Sequence, residues 1–155
     1  MKQRISLTNI NKDAYQAMLG LEMYLGKSSI EKPLLHLLKF RVSQINGCAY
    51  CLDMHSKDLR ALGETEQRLF VLDAWREAPF YTDRERAALL WAESLTKITE
   101  GHVPDAVFEE ARKHFSEQEL VDLTLAVTTI NAWNRISIGF RVEVGNYQPH
   151  HTAAK

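Results

Sequence analysis

The sequence predicts an all-α fold, a bundle of about six or seven helices built as one domain from residues 1–155. Apolar residues recur at helical spacing over most of the chain. Helix-start signals stand between these segments, including Ser/Thr-x-x-Glu capping boxes. Alternation typical of a strand is limited to Val142–Val144, which is too isolated to form a sheet. A chain of this length can bury roughly 70% of its unfolded surface.

Two helices are predicted before the first cysteine. The first covers residues 11–25 and begins at Asn11, and Gly26 opens the break that follows it. Pro33 suits the first turn of the second helix, which covers residues 34–45. Because this second helix is apolar on most sides, we expect neighbouring helices or another subunit to bury it.

The second helix also carries a row of polar side chains. His36, Lys39 and Ser43 follow i, i+3, i+7 spacing, so they share one face of the helix. Such a row is typical either of a solvated edge or of a functional surface. The sequence leaves both interpretations open.

The third predicted helix begins at the two cysteines of the chain. Asn46 is a reasonable N-cap and Gly47 permits a tight turn. Cys48 and Cys51 would then lie in the first helical turn, where the partial positive charge of a helix N-terminus favours a thiolate. Gly63 is expected to end this helix.

Four further helices are predicted after the cysteine helix. Their starts are placed at Thr65, at Thr82 with Glu85 in a capping box, at Val103–Asp105, and at Ser116 with Glu119 in a second capping box. The first of the four is expected to continue through Trp75. The last runs to about Phe140 and is the longest.

The tail from Gly145 onward carries no helical pattern. We expect it to be extended or docked on a partner subunit. Its paired histidines, His150 and His151, resemble metal ligands, but such pairs near a terminus are usually solvated. No metal site is therefore predicted there.

Composition and charge exclude several function classes. The formal net charge is −1, so no global field favours nucleic acid or an anionic membrane as a partner. No apolar run approaches the roughly 18 residues that a membrane span requires. The N-terminus lacks the apolar core of a signal peptide, which predicts a cytoplasmic protein. In the cytoplasm a close cysteine pair is more often catalytic, redox-sensing or metal-binding than a static crosslink.

The cysteine pair and a nearby histidine form the candidate catalytic group. In a helix, Cys48, Cys51 and His55 share one face, because their spacings are i, i+3 and i, i+4. Cys51 lies one turn from His55, which can accept its proton and favour the reactive thiolate. The pattern predicts that Cys51 attacks a peroxide and that Cys48 then condenses with the sulfenic acid to form a disulfide.

The same residues have three other interpretations. Buried free cysteines can serve as ordinary apolar core. A zinc site could use Cys48, Cys51, His55 and a fourth ligand such as His36, but zinc ligands usually come from two separated loops. A thioredoxin-type site would need a βαβ unit, which the sequence lacks.

The run Arg41–His55 resembles the alkyl hydroperoxidase D-like branch of the carboxymuconolactone decarboxylase superfamily. The likeness continues through Thr65–Arg68, Trp75–Ala78, Thr82–Ala87 and Asn131–Arg135. It implies an alkyl hydroperoxidase D-like helical bundle with the C-x-x-C motif at the N-terminus of a central helix. It also implies a homo-oligomer, commonly a trimer or hexamer, with peroxidase or disulfide-reductase activity. No tightly bound cofactor is implied; an external dithiol, in the best-understood member a lipoylated protein, supplies electrons.

By matching position, the resemblance makes Cys51 the peroxide-attacking cysteine, Cys48 the resolving cysteine and His55 a proton relay. The family glutamate twelve residues before the first cysteine is replaced here by His36. An imidazole can pass a proton, but it cannot hold His55 as an anion would. A direct relay requires His36 and His55 to lie within about 4 Å of each other.

The cysteine pair argues against lactone decarboxylation, because the founding decarboxylases of the superfamily lack it. An alternative from another functional class is a non-enzymatic, redox-sensing oligomeric protein. In that case the Cys48–Cys51 disulfide would change the assembly of the protein and would not turn over. The sequence alone leaves this alternative open beside the peroxidase.

Overall fold

A computed structural model describes residues 2–149 as an assembly of helices, and that part of the chain contains no β-strand. The α-helices are α1 (Leu7–Ile10), α2 (Lys12–Leu25), α3 (Lys32–Asn46), α4 (Ala49–Ala61), α5 (Glu66–Phe70), α6 (Asp83–Thr96), α7 (Asp105–His114) and α8 (Glu117–Phe140). The all-α prediction is confirmed. The described residues form eight α-helices, one more than the upper number predicted, and the additional helix is α1, a single turn. His150 and His151 lie outside the described residues.

The helix starts follow the capping signals of the sequence. The Asn11 side chain accepts a hydrogen bond from the Ala14 N–H at 3.0 Å and so caps α2. Both capping boxes form, Thr82 with Glu85 at α6 and Ser116 with Glu119 at α8. Each box satisfies two backbone N–H groups that the first helical turn leaves unpaired. The predicted starts of these three helices are therefore confirmed.

Helix α5 is shorter than the sequence predicted. It ends at Phe70, and a 3₁₀ turn over Leu72–Ala74 replaces its expected continuation to Trp75. The Arg86 guanidinium donates hydrogen bonds to the Trp75 and Arg76 carbonyl oxygens at 3.0 and 3.2 Å. Because these bonds come from a residue distant in sequence, a local helix pattern could not reveal them.

Helix α3 lies at the centre of the fold, as its apolar sequence predicted. Leu38 and Val42 pack into one apolar cluster with the cysteines and the inner face of α8. Leu37 and Phe40 pack into a second cluster on the other side, with Leu59 and residues of the α5–α6 region. No helix among residues 2–149 has the combination of length and apolarity that crossing a bilayer requires.

The polar row on α3 is not a solvated edge. Lys39 and Ser43 are 6% and 0% exposed, and His36 is half-buried. The Lys39 ammonium donates to Glu22 Oε2 of α2 at 2.5 Å, and the Ser43 hydroxyl accepts from the Asn134 amide of α8 at 3.1 Å. Buried polar groups are expected to be paired in this way. The row thus ties α3 to its neighbours and brings His36 beside α4.

Candidate active site

A left-handed glycine joins α3 to the cysteine helix. Gly47 has φ +67°, a conformation that a residue without Cβ adopts at little cost. The next N–H, that of Cys48, returns to the Ser43 carbonyl at 3.0 Å and closes the end of α3. The chain therefore reverses within one residue, and α4 starts directly against the end of α3.

The N-cap of α4 is Cys48, so the prediction of Asn46 as the N-cap is wrong. The Cys48 sulfur accepts a hydrogen bond from the Cys51 N–H at 3.4 Å. Asn46 is the last residue of α3, and its amide donates to Asn131 and Asn134 of α8 at 3.0 and 2.9 Å. The Asn46 side chain, which the local pattern assigned to capping, therefore bonds to α8 and does not cap α4.

Cys48 and Cys51 are joined as a disulfide. Their Cα atoms are 5.4 Å apart, inside the normal range for such a bond. Each residue is 1% exposed. Cys51 lies in the first turn of α4, as predicted, and Cys48 stands just before that turn. The arrangement is the oxidised state of a vicinal dithiol at a helix N-terminus, where the helix dipole favours thiolates on reduction.

The two histidines of the expected relay lie side by side. His55, one turn after Cys51 on α4, is 4% exposed. Its Nδ1 atom lies 3.3 Å from Nδ1 of His36, which reaches it from α3. This separation is within the limit of about 4 Å for a direct relay. One of the two nitrogens donates and the other accepts, so a proton held here is shared between the rings.

A carboxylate that the sequence analysis missed completes the cluster. Asp58 Oδ2 lies 3.6 Å from His36 Nδ1 and 3.9 Å from His55 Nδ1. Its other oxygen accepts a hydrogen bond of 2.7 Å from the Tyr147 hydroxyl. The available signal was its i, i+3 spacing from His55 on the same helix. Asp58 supplies a negative charge beside the histidines, so the substitution of the family glutamate by His36 does not leave them without an anion.

The segment after α8 docks on α4 of the same chain. The Lys57 ammonium donates to the carbonyl oxygens of Gly145 and Tyr147 at 3.2 and 3.1 Å and to Asp53 at 2.9 Å. These bonds place the Tyr147 hydroxyl against Asp58. The part of the tail up to Tyr147 has no helix, and it contacts α4 of its own chain; docking on a partner subunit stays a prediction.

Burial keeps the histidines uncharged. Removal from water lowers the pKa of His55 well below the ordinary value of 6.5, and the positive charge of Lys39 and the neighbouring His36 ring lower it further. Burial also lowers the pKa of His36, although the Asp58 carboxylate opposes that effect. At neutral pH His55 is therefore uncharged, and its lowered pKa makes it a weaker acceptor for a thiol proton than an exposed histidine is.

The second ring nitrogen of His55 is available for that proton. Nε2 is buried and has no hydrogen-bond partner among the described residues. In a disulfide neither sulfur carries a proton that could reach it. Since Nδ1 faces His36 and Asp58, Nε2 is the ring nitrogen that can accept a proton in the tautomer in which Nδ1 carries the hydrogen of the neutral ring.

His36, His55 and Asp58 are also a geometrically possible metal-binding group. One donor atom from each lies within 4.8 Å of the others. A metal-bound histidine, however, almost always donates its other ring N–H to a carboxylate, carbonyl or water. Nε2 of His55 has no such partner among residues 2–149. Among these residues His55 therefore lacks the protein partner that usually orients a metal-bound histidine.

Two clefts open on different sides of this group. The first has a volume of about 460 Å³ and is lined by Cys48 with Gly47, Ala49, Tyr50, Ser137, Ile138, Arg141–Val144 and Asn146. The second has a volume of about 330 Å³ and is lined by His36 and Asp58 with Glu22, Lys32, Lys39, Ala61, Tyr147 and others. Cys51 lines neither cleft.

The chain shares sequence and fold with several known proteins. The sequence profile of the carboxymuconolactone decarboxylase family matches residues 12–94. The uncharacterized protein YdfG of Bacillus subtilis is 46% identical over 138 residues, which are 89% of this chain and 94% of YdfG. Alkyl hydroperoxide reductase AhpD of Nocardia farcinica is 40% identical over 52 residues, 33% of this chain and 29% of AhpD.

A solved structure from Agrobacterium tumefaciens has the same fold. It is a protein of unknown function that has been assigned provisionally to antioxidant defence as an AhpD. The two chains are 44% identical and superpose with a TM-score of 0.90 over 94% of this chain and 100% of the other. The AhpD-like bundle implied by the sequence resemblance is therefore confirmed as a fold.

Proposed function

Because the chain belongs to the carboxymuconolactone decarboxylase family, in its AhpD-like branch, we propose that it is an antioxidant enzyme that reduces hydroperoxides with electrons from a dithiol. A family that includes both decarboxylases and AhpD does not select one chemistry by fold alone. The observation that supports this chemistry is the bonded Cys48–Cys51 pair at the start of α4, with His55 one turn beyond it.

The proposed oxidative half of the cycle consumes one hydroperoxide. The Cys51 thiolate attacks the distal peroxide oxygen, the O–O bond breaks, and the alkoxide leaves with a proton as an alcohol. Cys51 is then a sulfenic acid. The Cys48 thiol displaces water from it and forms the disulfide. In the proposed cycle the Cys48–Cys51 disulfide is the product of that step.

The histidine–carboxylate cluster has a defined part in this half-reaction. His55 takes the thiol proton from Cys51 at Nε2, while Nδ1 shares its proton with His36. Asp58 stabilises the imidazolium that forms, because an anion within about 4 Å favours the charged state. Tyr147 holds Asp58 in place. The second cleft, lined by His36 and Asp58, lets water exchange protons with the cluster.

The partners of the cycle are part of the proposal. The two cysteines store both oxidising equivalents, so the cycle requires no tightly bound cofactor. The reductant is an external dithiol, and a lipoylated protein is the donor that the sequence resemblance favours. The working form is a homo-oligomer, a trimer or hexamer. Cytoplasmic location, where thiol reductants are abundant, is compatible with this chemistry.

Turnover of an organic hydroperoxide tests the proposal. Cumene hydroperoxide and dihydrolipoamide are supplied to wild type, to Cys51→Ser, to Cys48→Ser, and to Ala106→Ser on the exposed face of α7 as a matched control. Wild type and the control should turn over many times, and both cysteine variants should lose at least about 100-fold in rate. Circular dichroism verifies the folds. A cysteine variant that is folded and fully active contradicts the mechanism.

A second candidate function is a non-enzymatic redox sensor. The observation in its favour is that each cysteine is 1% exposed, so access to both sulfurs is restricted. A sensor would be oxidised once by peroxide and would not turn over with any dithiol. Its oxidised and reduced forms would also differ in assembly, which sedimentation velocity measures directly.

A further inference from the structure

We infer that the reductant enters the cleft lined by Cys48 and that its thiolate attacks the Cys48 sulfur, so that Cys51 leaves. The two halves of the cycle then act on different sulfurs: peroxide on Cys51 and the dithiol on Cys48. This inference rests on the proposed function for the chemical class of the reductant. It adds the site where the reductant binds and the sulfur with which it reacts.

Access distinguishes the two sulfurs. Both cysteines are almost fully buried, but only Cys48 contributes to the wall of a cleft. Cys51 lies one turn further along α4 and lines neither cleft, although both cysteines pack in the central apolar cluster. Which sulfur of a disulfide is attacked depends on access as well as on the leaving thiol. An external thiol that enters the first cleft therefore meets Cys48 before Cys51.

The walls of the first cleft suit a slender, uncharged group. Gly47 and Ala49 flank Cys48 in sequence and present little side-chain bulk beside it. Arg141 and Glu143 contribute opposite charges, so the cleft does not select a charged reductant. Its volume of about 460 Å³ lies in the range of small-molecule sites, about 300–1,000 Å³. A dithiol group of low molecular weight fits these limits.

Attack on Cys48 releases Cys51 as the leaving thiolate. When the first thiolate of the dithiol bonds to Cys48 Sγ, the Cys48–Cys51 bond breaks and its electron pair stays on Cys51. The Cys51 thiolate forms in the first turn of α4, where the partial positive charge of the helix N-terminus stabilises it. The second thiolate of the dithiol then attacks the sulfur of the reductant that is bonded to Cys48. The reductant leaves as a cyclic disulfide, and Cys48 is released as a thiolate.

A monothiol can trap the sulfur that is attacked. The oxidised wild-type protein is mixed with 2-mercaptoethanol, which cannot close a ring, and quenched within seconds with N-ethylmaleimide. Peptide mass spectrometry then locates both labels. We expect mercaptoethanol on Cys48 and maleimide on Cys51, in about tenfold excess over the reverse pattern. Equal or reversed labelling overturns the inference.

The two alanines at the ends of α4 allow the two clefts to be tested separately. Ala49 lines the first cleft and Ala61 lines the second. Ala49→Leu should slow reduction of the disulfide by dihydrolipoamide about tenfold, and more than Ala61→Leu does, while the α7 control Ala106→Leu should leave the rate unchanged. Leucine retains helix propensity at each position. Slowing by Ala61→Leu alone, or no slowing by Ala49→Leu, contradicts entry beside Cys48.

These experiments separate this inference from the proposed function. Both begin with the disulfide and use no peroxide, so they give a result whether or not the protein turns over hydroperoxides. Mercaptoethanol on Cys48 without peroxide turnover would support the reductant site and contradict the peroxidase function. Peroxide turnover with mercaptoethanol on Cys51 would support the peroxidase function and contradict the reductant site. If Ala49→Leu does not fold, the trapping experiment on wild type still decides.

Discussion

Asp58 is the residue that connects the histidine pair to the rest of the molecule. It lies close to both imidazole rings and accepts a hydrogen bond from Tyr147, a residue 89 positions away in the chain. An uncharged His55 that must accept a proton in a buried site needs a nearby anion, because an isolated buried imidazolium is costly. In this chain that anion comes from α4 itself.

Removal of the Asp58 charge should slow thiol activation. In a Cys48→Ser background, which leaves Cys51 as the single thiol, Asp58→Asn should lower the rate of Cys51 alkylation by iodoacetamide at pH 7 about tenfold. The reason is that His55 loses the anion that stabilises its protonated form. Asp105→Asn, the same change at an exposed position of α7, is the control and should leave the rate unchanged. Equal rates for both variants would exclude Asp58 from the relay.

The buried histidine should make folding stability depend on pH. Burial lowers the pKa of His55 in the folded chain, so below about pH 6.5 the unfolded chain binds a proton that the folded chain does not. The contribution of His55 to the free energy of unfolding is fully present above about pH 6.5. It falls as the pH drops below that value, by up to about 1.4 kcal/mol per pH unit. Urea unfolding at pH 7.5 and 5.5 should show a larger loss for wild type than for His55→Asn. Equal losses would contradict a neutral, buried His55.

At the level of elements, the junction between α3 and α4 sets the position of the cysteines. Gly47 ends one helix and Cys48 caps the next, so the disulfide has little freedom relative to α3. Asn46 and Asn134 fix the same junction to α8. The cysteine pair is thus held by two helices besides the one on which it lies.

Gly47 should be sensitive to substitution because of its positive φ. A Cβ at this position meets no atom within 4 Å, so Gly47→Ala tests backbone strain without a steric clash. The left-handed conformation should cost about 1–2 kcal/mol of unfolding free energy. Gly139→Ala inside α8, which also opens onto free space, is the control and should be neutral or stabilising by up to about 1 kcal/mol. A similar result for both variants in urea unfolding would contradict strain at Gly47.

For the molecule as a whole, self-association remains a prediction. The sequence resemblance implies a trimer or hexamer of the 17.8 kDa chain. Sedimentation velocity over a range of concentrations should therefore give a mass at three or six times that of the chain. A monomer at every concentration would contradict the predicted trimer or hexamer, although it would not contradict the proposed cysteine chemistry.

Sequence pattern predicted the features that are local. The capping boxes at Thr82 and Ser116, the glycine break before Cys48 and the common face of Cys51 and His55 all depend on neighbours within a few residues. The end of α5 and the role of Asn46 depend on partners in distant helices, so local pattern misplaced them. The local signal for Asp58 is only its i, i+3 spacing from His55, and its contact with Tyr147 exists only after folding.

The location of the sulfenic acid tests the central claim most directly. Reduced Cys48→Ser and Cys51→Ser proteins are each treated with one equivalent of cumene hydroperoxide in the presence of dimedone, and the adduct is located by mass spectrometry. Because Cys51 lies one helical turn before His55, Cys48→Ser should carry dimedone on Cys51, and Cys51→Ser should react at least about tenfold more slowly. Faster adduct formation on Cys48 in Cys51→Ser would contradict the assignment of Cys51 as the peroxide-attacking residue.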